Sequence, residues 1–157
     1  MTSKKSTPVR AQPWVLTASH ARARLFTVST PTGPLEEVED MINAEARMHE
    51  ADLATHTPGH LVGGRRGIDG HGHTGEHGQA PKKKLAGVFA KNICDRLDHA
   101  RKLGAISQLY VIADPEFLGL LRQHMSSEIR GHIALEINKD FSSSASTAIR
   151  KDLPSQL

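Results

Sequence analysis

One segment in the middle of the chain, Gly59–Gly78, constrains the fold more than any other. Eight of its twenty residues are glycine and four are histidine, and only Leu61, Val62 and Ile68 are large and apolar. Ordering a backbone costs about 1–2 kcal/mol per residue, and this segment has too little apolar surface to offset that cost. It therefore predicts a mobile loop at about residues 59–80, inserted between two periodic, core-forming parts of one domain.

The length of the chain predicts one folded domain. Of the 157 residues, 1–12 predict a flexible polar tail and 13–157 a single α/β domain. Cys94 is the only cysteine, which excludes an intramolecular disulfide and a cysteine zinc site. No apolar run follows the basic N-terminal residues, and no segment has the roughly eighteen apolar residues of a membrane helix. These patterns predict a cytoplasmic protein without a membrane partner.

The first half of the chain predicts three strands. Trp14–Ala18 and Ala21–Val28 are apolar segments on either side of a polar turn, which is the pattern of a hairpin with one buried face. A turn rich in proline and glycine follows. Leu35–Ile42 then predicts a third, edge-exposed strand, although its apolar spacing also fits a weakly amphipathic helix.

The second half predicts helices that alternate with strands. Its predicted elements are an amphipathic helix from Lys84 to Gly104, a strand at Leu109–Ala113 covered on both faces, a helix opened by the cap Asp114-Pro115, an edge strand at Ile133–Ile137 and a short helix at 148–153. The order predicts an antiparallel meander followed by parallel crossovers. The predicted fold is a ribonuclease-H-like three-layer α/β sandwich, with helices packed on a mixed five-stranded sheet.

Basic residues near the loop are candidates for binding phosphate. Arg65, Arg66 and the run from Lys82 through Lys83 to Lys84 could contact a phosphate backbone, although a solvated loop leading into a helix explains them equally well. No aromatic residue lies between positions 27 and 88 to stack on bases.

Two further candidates lie on the second predicted strand. Arg22 and Arg24 share one face of it. They could bind phosphate or form cross-strand ion pairs with the acidic residues at 36–40, and the pairing is the favoured interpretation.

The loop histidines are the candidate metal ligands. His71, His73 and His77 could supply three imidazoles to zinc, nickel or copper, and a flexible histidine-glycine spacer is the alternative interpretation. No other cofactor is predicted. Glu116 and Asp114 follow a buried strand, but Asp114 before proline is explained as a helix cap, and no catalytic triad is apparent. The sequence thus predicts a protein that binds rather than catalyses.

Three stretches of the chain resemble the bacterial host-attachment proteins. They are WVLTASHARARLF at 14–26, NAEARMHEADLATHTPGH at 43–60, and DPEFLGLLRQHMSSEIR at 114–130 followed by EINKDF at 136–141. The fold of that family is similar to the central domain of eukaryotic and archaeal peptide-chain release factors. That domain carries Gly-Gly-Gln at its catalytic tip, where this chain has Gly63-Gly64-Arg65, so the resemblance does not support ester hydrolysis.

The resemblance implies a binding module that contacts tRNA or the ribosome. It adds Arg122, at the end of a matching FLGLLR motif, to the phosphate-binding candidates. Two other functions remain open at this point: a metal-dependent hydrolase or metal-binding protein built on the loop histidines, and a protein-interaction module that uses the acidic segment at 36–52. If the protein binds RNA or another protein, an effect on host attachment would be indirect.

Overall fold

Five strands and five helices make up the part of the chain that the structure, a computed structural model, describes: residues 9–55 and 79–157. The strands are β1 (Gln12–Ala18), β2 (Arg22–Thr27), β3 (Glu36–Ile42), β4 (Ile106–Ala113) and β5 (Ile133–Asn138). The helices are α1 (Ala44–Thr55), α2 (Gln79–Lys102), α3 (Pro115–His124), α4 (Ser127–Arg130) and α5 (Ser146–Asp152).

The strands form one mixed sheet in the order β3-β2-β1-β4-β5. The β1–β2 and β2–β3 pairs are antiparallel, whereas β1–β4 and β4–β5 are parallel. The predicted mixed sheet, a meander followed by crossovers, is confirmed, and so are the edge positions of β3 and β5. Every residue from Leu109 to Ala113 in β4 is buried, as predicted for a strand covered on both faces.

Helices α2, α3 and α4 cover one face of the sheet, which we call the helical face. The apolar stripe of α2 includes Phe89, Ile93 and Leu97, and it belongs to one core cluster with apolar residues of β1, β2 and β4. The ring of Phe89 lies 6.0 Å from that of Phe117 in α3. As predicted, the α2 helix stops just before Gly104, whose φ of +72° is the left-handed conformation that glycine adopts readily.

The opposite face of the sheet is covered by α5 and the residues on either side of it. The predicted short C-terminal helix is therefore confirmed. Beyond it, the backbone nitrogen of Leu157 donates a 3.0 Å hydrogen bond to the carbonyl oxygen of Pro31 in the β2–β3 turn. The second core cluster, which lies on this face, contains Val15, Phe26, Val28, Leu35, Tyr110, Ile112, Ile149 and Leu153.

The edge strand β3 carries a β-bulge. Leu25 of β2 is opposite Glu39, but the next residue, Phe26, is opposite Glu37, so Val38 is the extra residue of the bulge. Bulges are frequent at sheet edges, where they bend the strand and increase its twist. Val38 is about half exposed, in keeping with this position.

Helix α1 is absent from the sequence prediction. Its only large apolar residues, Met48 and Leu53, are five positions apart and so do not share a face, which removes the periodic signal. The helix begins instead from a cap, because Asn43 Oδ1 accepts a hydrogen bond from the Ala46 nitrogen at 3.4 Å.

The start of α2 also differs from prediction. This helix begins at Gln79, five residues before Lys84, because lysine and alanine propagate a helix without an apolar stripe and Pro81 is tolerated in a first turn. The short helix α4 is a further element without a sequence prediction, and it is capped by Ser126, whose Oγ accepts a hydrogen bond from the Ile129 nitrogen at 3.3 Å. Within the described ranges, no helix combines the length and apolar character needed to cross a membrane.

Candidate functional site

A cleft of about 230 Å³ opens at the carboxyl ends of β1 and β4. These strands are parallel neighbours, but the chain leaves β1 toward β2 on one side and leaves β4 toward β5 on the other. In α/β sheets, a crevice where the connections diverge in this way is the usual place for a ligand. The cleft is therefore the candidate site.

The interior of the cleft is apolar. Leu85 and Ala86 of α2 line it together with Phe117 and Leu120 of α3. Ala86 and Phe117 are buried, whereas Leu85 and Leu120 are partly exposed and form the accessible surface. A ligand in the cleft would bury an apolar group against these side chains.

The β1–β2 turn forms one wall and is held in place by two polar side chains. Ser19 Oγ accepts hydrogen bonds from the backbone nitrogens of Ala21 and Arg22, each at 3.3 Å. Asn43 Nδ2 donates to the carbonyl oxygen of His20 at 2.9 Å. These contacts fix the turn against the start of α1 and place His20 in the wall of the cleft.

The start of α3 brings two carboxylates to the cleft. Asp114 Oδ1 accepts a hydrogen bond from the Phe117 nitrogen at 3.0 Å, so the predicted helix cap is confirmed. Glu116, in the first turn, is exposed and also lines the cleft. Both residues come directly after the end of β4, so the position of that strand in the sheet brings their carboxylates to the cleft.

The start of α2 brings the lysines. Lys82 precedes Ala86 by four residues and Lys83 precedes Ala90 by seven, so both continue the buried face of α2 beyond the edge of the core. Both line the cleft, while Lys84 lies on the outer face, one turn before the exposed Val88. All three lysines are exposed, and none takes part in an ion pair within the described part of the chain.

The predicted arginines of β2 lie on the face opposite α2. The Arg22 guanidinium donates to both carboxylate oxygens of Asp40, at 2.8 and 2.6 Å. These hydrogen bonds raise the pKa of Arg22 and hold the pKa of Asp40 below its usual value. Arg24 is buried and donates to Glu37 and to the carbonyl oxygen of Ser144. The favoured cross-strand pairing is therefore present.

Arg122 also lies away from the lysines. It pairs with Glu136 of β5, which raises the pKa of Arg122 through the hydrogen bond. The acidic segment is partly neutralised in the same manner, because Arg96 of α2 donates to Glu39 at 2.6 Å. Among the phosphate-binding candidates in the described residues, only Lys82, Lys83 and Lys84 form no ion pair there. Their ammonium groups are therefore available to bind an external anion.

Five predicted site residues lie outside the described ranges: Arg65, Arg66, His71, His73 and His77. Within residues 9–55 and 79–157, no three histidine, cysteine, aspartate or glutamate side chains come together as metal ligands. The cleft has one signal in the sequence, the end of β4 at Asp114. Its other walls depend on the pairing of β1 with β4 and on the position of α1, which are tertiary contacts without a local sequence signal.

Comparison with known proteins gives a family match and likenesses to solved structures, among them two archaeal proteins. A family described as "Protein required for attachment to host cells" matches residues 14–153. No curated protein sequence is significantly similar to the chain. The crystal structure of an archaeal translation termination factor, aRF1, aligns with 90% of this chain at 7% identity and a TM-score of 0.48, over 37% of its own length. A second archaeal protein aligns with 89% of the chain at 8% identity and a TM-score of 0.43, over 36% of its length. The chain thus spans little more than a third of either structure.

Proposed function

The chain belongs to the host-attachment family, and from its geometry we propose that it is a cytoplasmic, non-enzymatic binding domain that contacts RNA phosphates, those of tRNA or the ribosome, through Lys82, Lys83 and Lys84. One observation carries the proposal: three exposed lysines, free of ion pairs in the described part of the chain, lie at the N-terminal end of α2 beside a cleft.

This arrangement is unfavourable for the free protein. The partial positive charge at the N-terminal end of a helix favours acidic residues and disfavours cations over the first turn, and Lys82, Lys83 and Lys84 are the fourth to sixth residues of α2, next to that turn. The first turn of α2 contains no acidic residue. The described residues supply no ion-pair partner for these lysines, and a local rule broken in this way is typical of a site kept for an external partner.

A phosphate removes the conflict. Helix N-termini bind phosphate because their free N–H groups and partial positive charge face the anion, and the lysine ammonium groups add three full charges. Arg22, Arg24 and Arg122 do not contribute, because each is held by a carboxylate of the same molecule. On this proposal, the effect on host attachment is indirect, through translation.

The test is charge reversal with a matched control. The triple variant Lys82→Glu, Lys83→Glu, Lys84→Glu should lose co-sedimentation with ribosomes and binding to labelled tRNA, while its melting temperature stays equal or rises. The control reverses three other exposed lysines, Lys91, Lys102 and Lys151, and so makes the same change in net charge. It should keep most of the binding.

The salt dependence provides a second measurement. Each phosphate contact contributes about 0.7–0.9 to the slope of log K against log salt concentration, so the slope of the wild type should exceed that of the first variant by about 2–3. Equal RNA affinity for the wild type and the Lys82–Lys84 variant would rule out the proposed function.

A further inference from the structure

The cleft beside the lysines has the size and polarity to hold the base of one nucleotide. We propose that it takes a single ribonucleotide unit whose base carries an exocyclic amino group, with the phosphate at Lys82 and Lys83 and the base against Leu120. This inference rests on the proposed function, because it uses the same lysines for the phosphate.

The dimensions of the cleft favour one flat ring system. Its volume of about 230 Å³ is below the roughly 300–1,000 Å³ of clefts that hold drug-sized ligands. Leu85 of α2 and Leu120 of α3, both partly exposed, line it. A base that packs against them would bury its apolar faces away from water, whereas a larger ligand would extend out of the cleft.

The carboxylates decide which bases fit. Asp114 uses Oδ1 to cap α3, and the hydrogen bonds within the described residues use neither its Oδ2 nor the carboxylate of Glu116. An ionised carboxylate only accepts hydrogen bonds. Adenine, cytosine and guanine offer amino N–H groups at the edge of the ring, whereas uracil offers one N3–H between two carbonyl oxygens that a carboxylate repels. Uracil should therefore bind more weakly than a base with an amino group.

The lining of the cleft combines the three kinds of group that a nucleotide requires. Lys82 and Lys83 lie at the start of α2, and Asp114 and Glu116 at the start of α3, with the apolar side chains of both helices lining the cleft. A nucleotide has the complementary order of anionic phosphate, apolar ring faces and amino group. Because two carboxylates line the cleft beside the two lysines, a bare polyanion would be repelled by the carboxylates as well as attracted by the lysines. A nucleotide base instead donates hydrogen bonds to the carboxylates.

The experiment compares r(A)6 with r(U)6 by fluorescence anisotropy. The wild type should prefer r(A)6 by about tenfold, the value of one good base contact. Ala46→Leu narrows the cleft with an uncharged side chain that cannot stack on a base, and it should abolish the preference while leaving salt-dependent binding of both oligonucleotides. Ala148→Leu is the matched control at an exposed alanine of α5, and it should keep the preference. Leu120→Ala, which removes the apolar surface offered to the base, replaces Ala46→Leu if that variant melts at a lower temperature than the control.

The outcomes separate this inference from the proposed function. Equal affinity of the wild type for the two oligonucleotides, or a preference that survives the substitution in the cleft, would overturn the nucleotide site even if the lysines still bind RNA. If the variant with Lys82, Lys83 and Lys84 changed to glutamate still binds RNA, the proposed phosphate contact is wrong. A parallel titration with adenosine monophosphate identifies the source of the nucleotide: affinity equal to that of r(A)6 indicates a free nucleotide, and weaker affinity indicates a residue of an RNA strand.

Discussion

Arg150 Nε of α5 donates a 3.0 Å hydrogen bond to the carbonyl oxygen of Gly33, in the β2–β3 turn. The same guanidinium donates to the carbonyl oxygens of Pro31, Pro154 and Ser155, at 3.2, 2.6 and 2.8 Å. One side chain thereby fastens the C-terminal residues to a turn more than a hundred positions earlier in the sequence.

Arg150→Ala should lower the free energy of unfolding by about 1–3 kcal/mol, because hydrogen bonds to a charged donor are lost. Urea denaturation measures the change. Arg150→Lys keeps the charge but not the planar fork, and should recover less than half of the loss. Lys151→Ala, at the exposed neighbouring position, is the control and should change stability by less than about 0.5 kcal/mol.

Phe89→Ala should cost about 3–5 kcal/mol, as expected for truncation of a large core residue. Phe89 is only 7% exposed and contacts Phe117 across the α2–α3 interface. Lys91→Ala, on the solvent side of the same helix, should cost under about 0.5 kcal/mol. Similar losses in the two variants, measured by chemical denaturation, would contradict the assignment of the buried face.

Thr17→Val should leave the protein equally stable or more stable. Thr17 Oγ1 is buried, and it is the one buried side-chain polar atom in the described residues without a hydrogen-bond partner. Valine has nearly the same shape and removes the desolvated hydroxyl, which costs about 1–3 kcal/mol when unpaired. Thr17→Ser keeps the hydroxyl and loses the methyl group, so it should destabilise. The melting temperatures of the three proteins provide the comparison.

Asp40 should contribute to acid sensitivity. The hydrogen bond from Arg22 lowers the pKa of Asp40 in the folded protein below its ordinary value of 3.8. The unfolded chain therefore binds more protons, and the contribution of Asp40 is present above pH 3.8 and lost as the pH falls toward the folded pKa. Asp40→Asn should reduce the fall in stability across that range, by under about 1 kcal/mol for an exposed pair. In an Arg22→Gln background, the same substitution should have a smaller effect on the pH dependence, because the hydrogen bond that lowers the pKa of Asp40 most is already absent.

Cys94 should be unreactive in the folded protein. Burial raises the pKa of its thiol to about 12, and Sγ lies 3.6 Å from the carbonyl oxygen of Leu121. Because the thiolate is the nucleophile, iodoacetamide at pH 8 should leave the native protein unmodified and should alkylate it in 6 M guanidinium. Mass spectrometry measures the adduct, and rapid labelling of the native protein would show that the α2–α3 interface opens readily.

The predictable parts of the fold are those in which one face of an element is repeatedly apolar. The stripe through Phe89, Ile93 and Leu97 predicts α2, and the continuous run from Leu109 to Ala113 predicts a strand buried on both faces. By contrast, α1 depends on the cap at Asn43 rather than on an apolar stripe, so periodicity gives no signal for it.

The candidate site was predicted only in its components. Lys82, Lys83 and Lys84 are recognisable as a basic run, but their position beside Asp114 depends on β4 pairing with β1, a contact between segments about a hundred residues apart. The ion pairs of Arg22 and Arg24 follow from strand register and could be predicted. Arg122 could not be placed beside Glu136, because that contact depends on how α3 crosses β5.

The bulge at Val38 has a consequence for behaviour at high concentration. A regular edge strand offers a row of free N–H and C=O groups on which another chain can polymerise. Here the extra residue of the bulge interrupts that row. The sheet is thereby protected against growth into fibrils from its β3 edge, even though Val38 and Ile42 are exposed there.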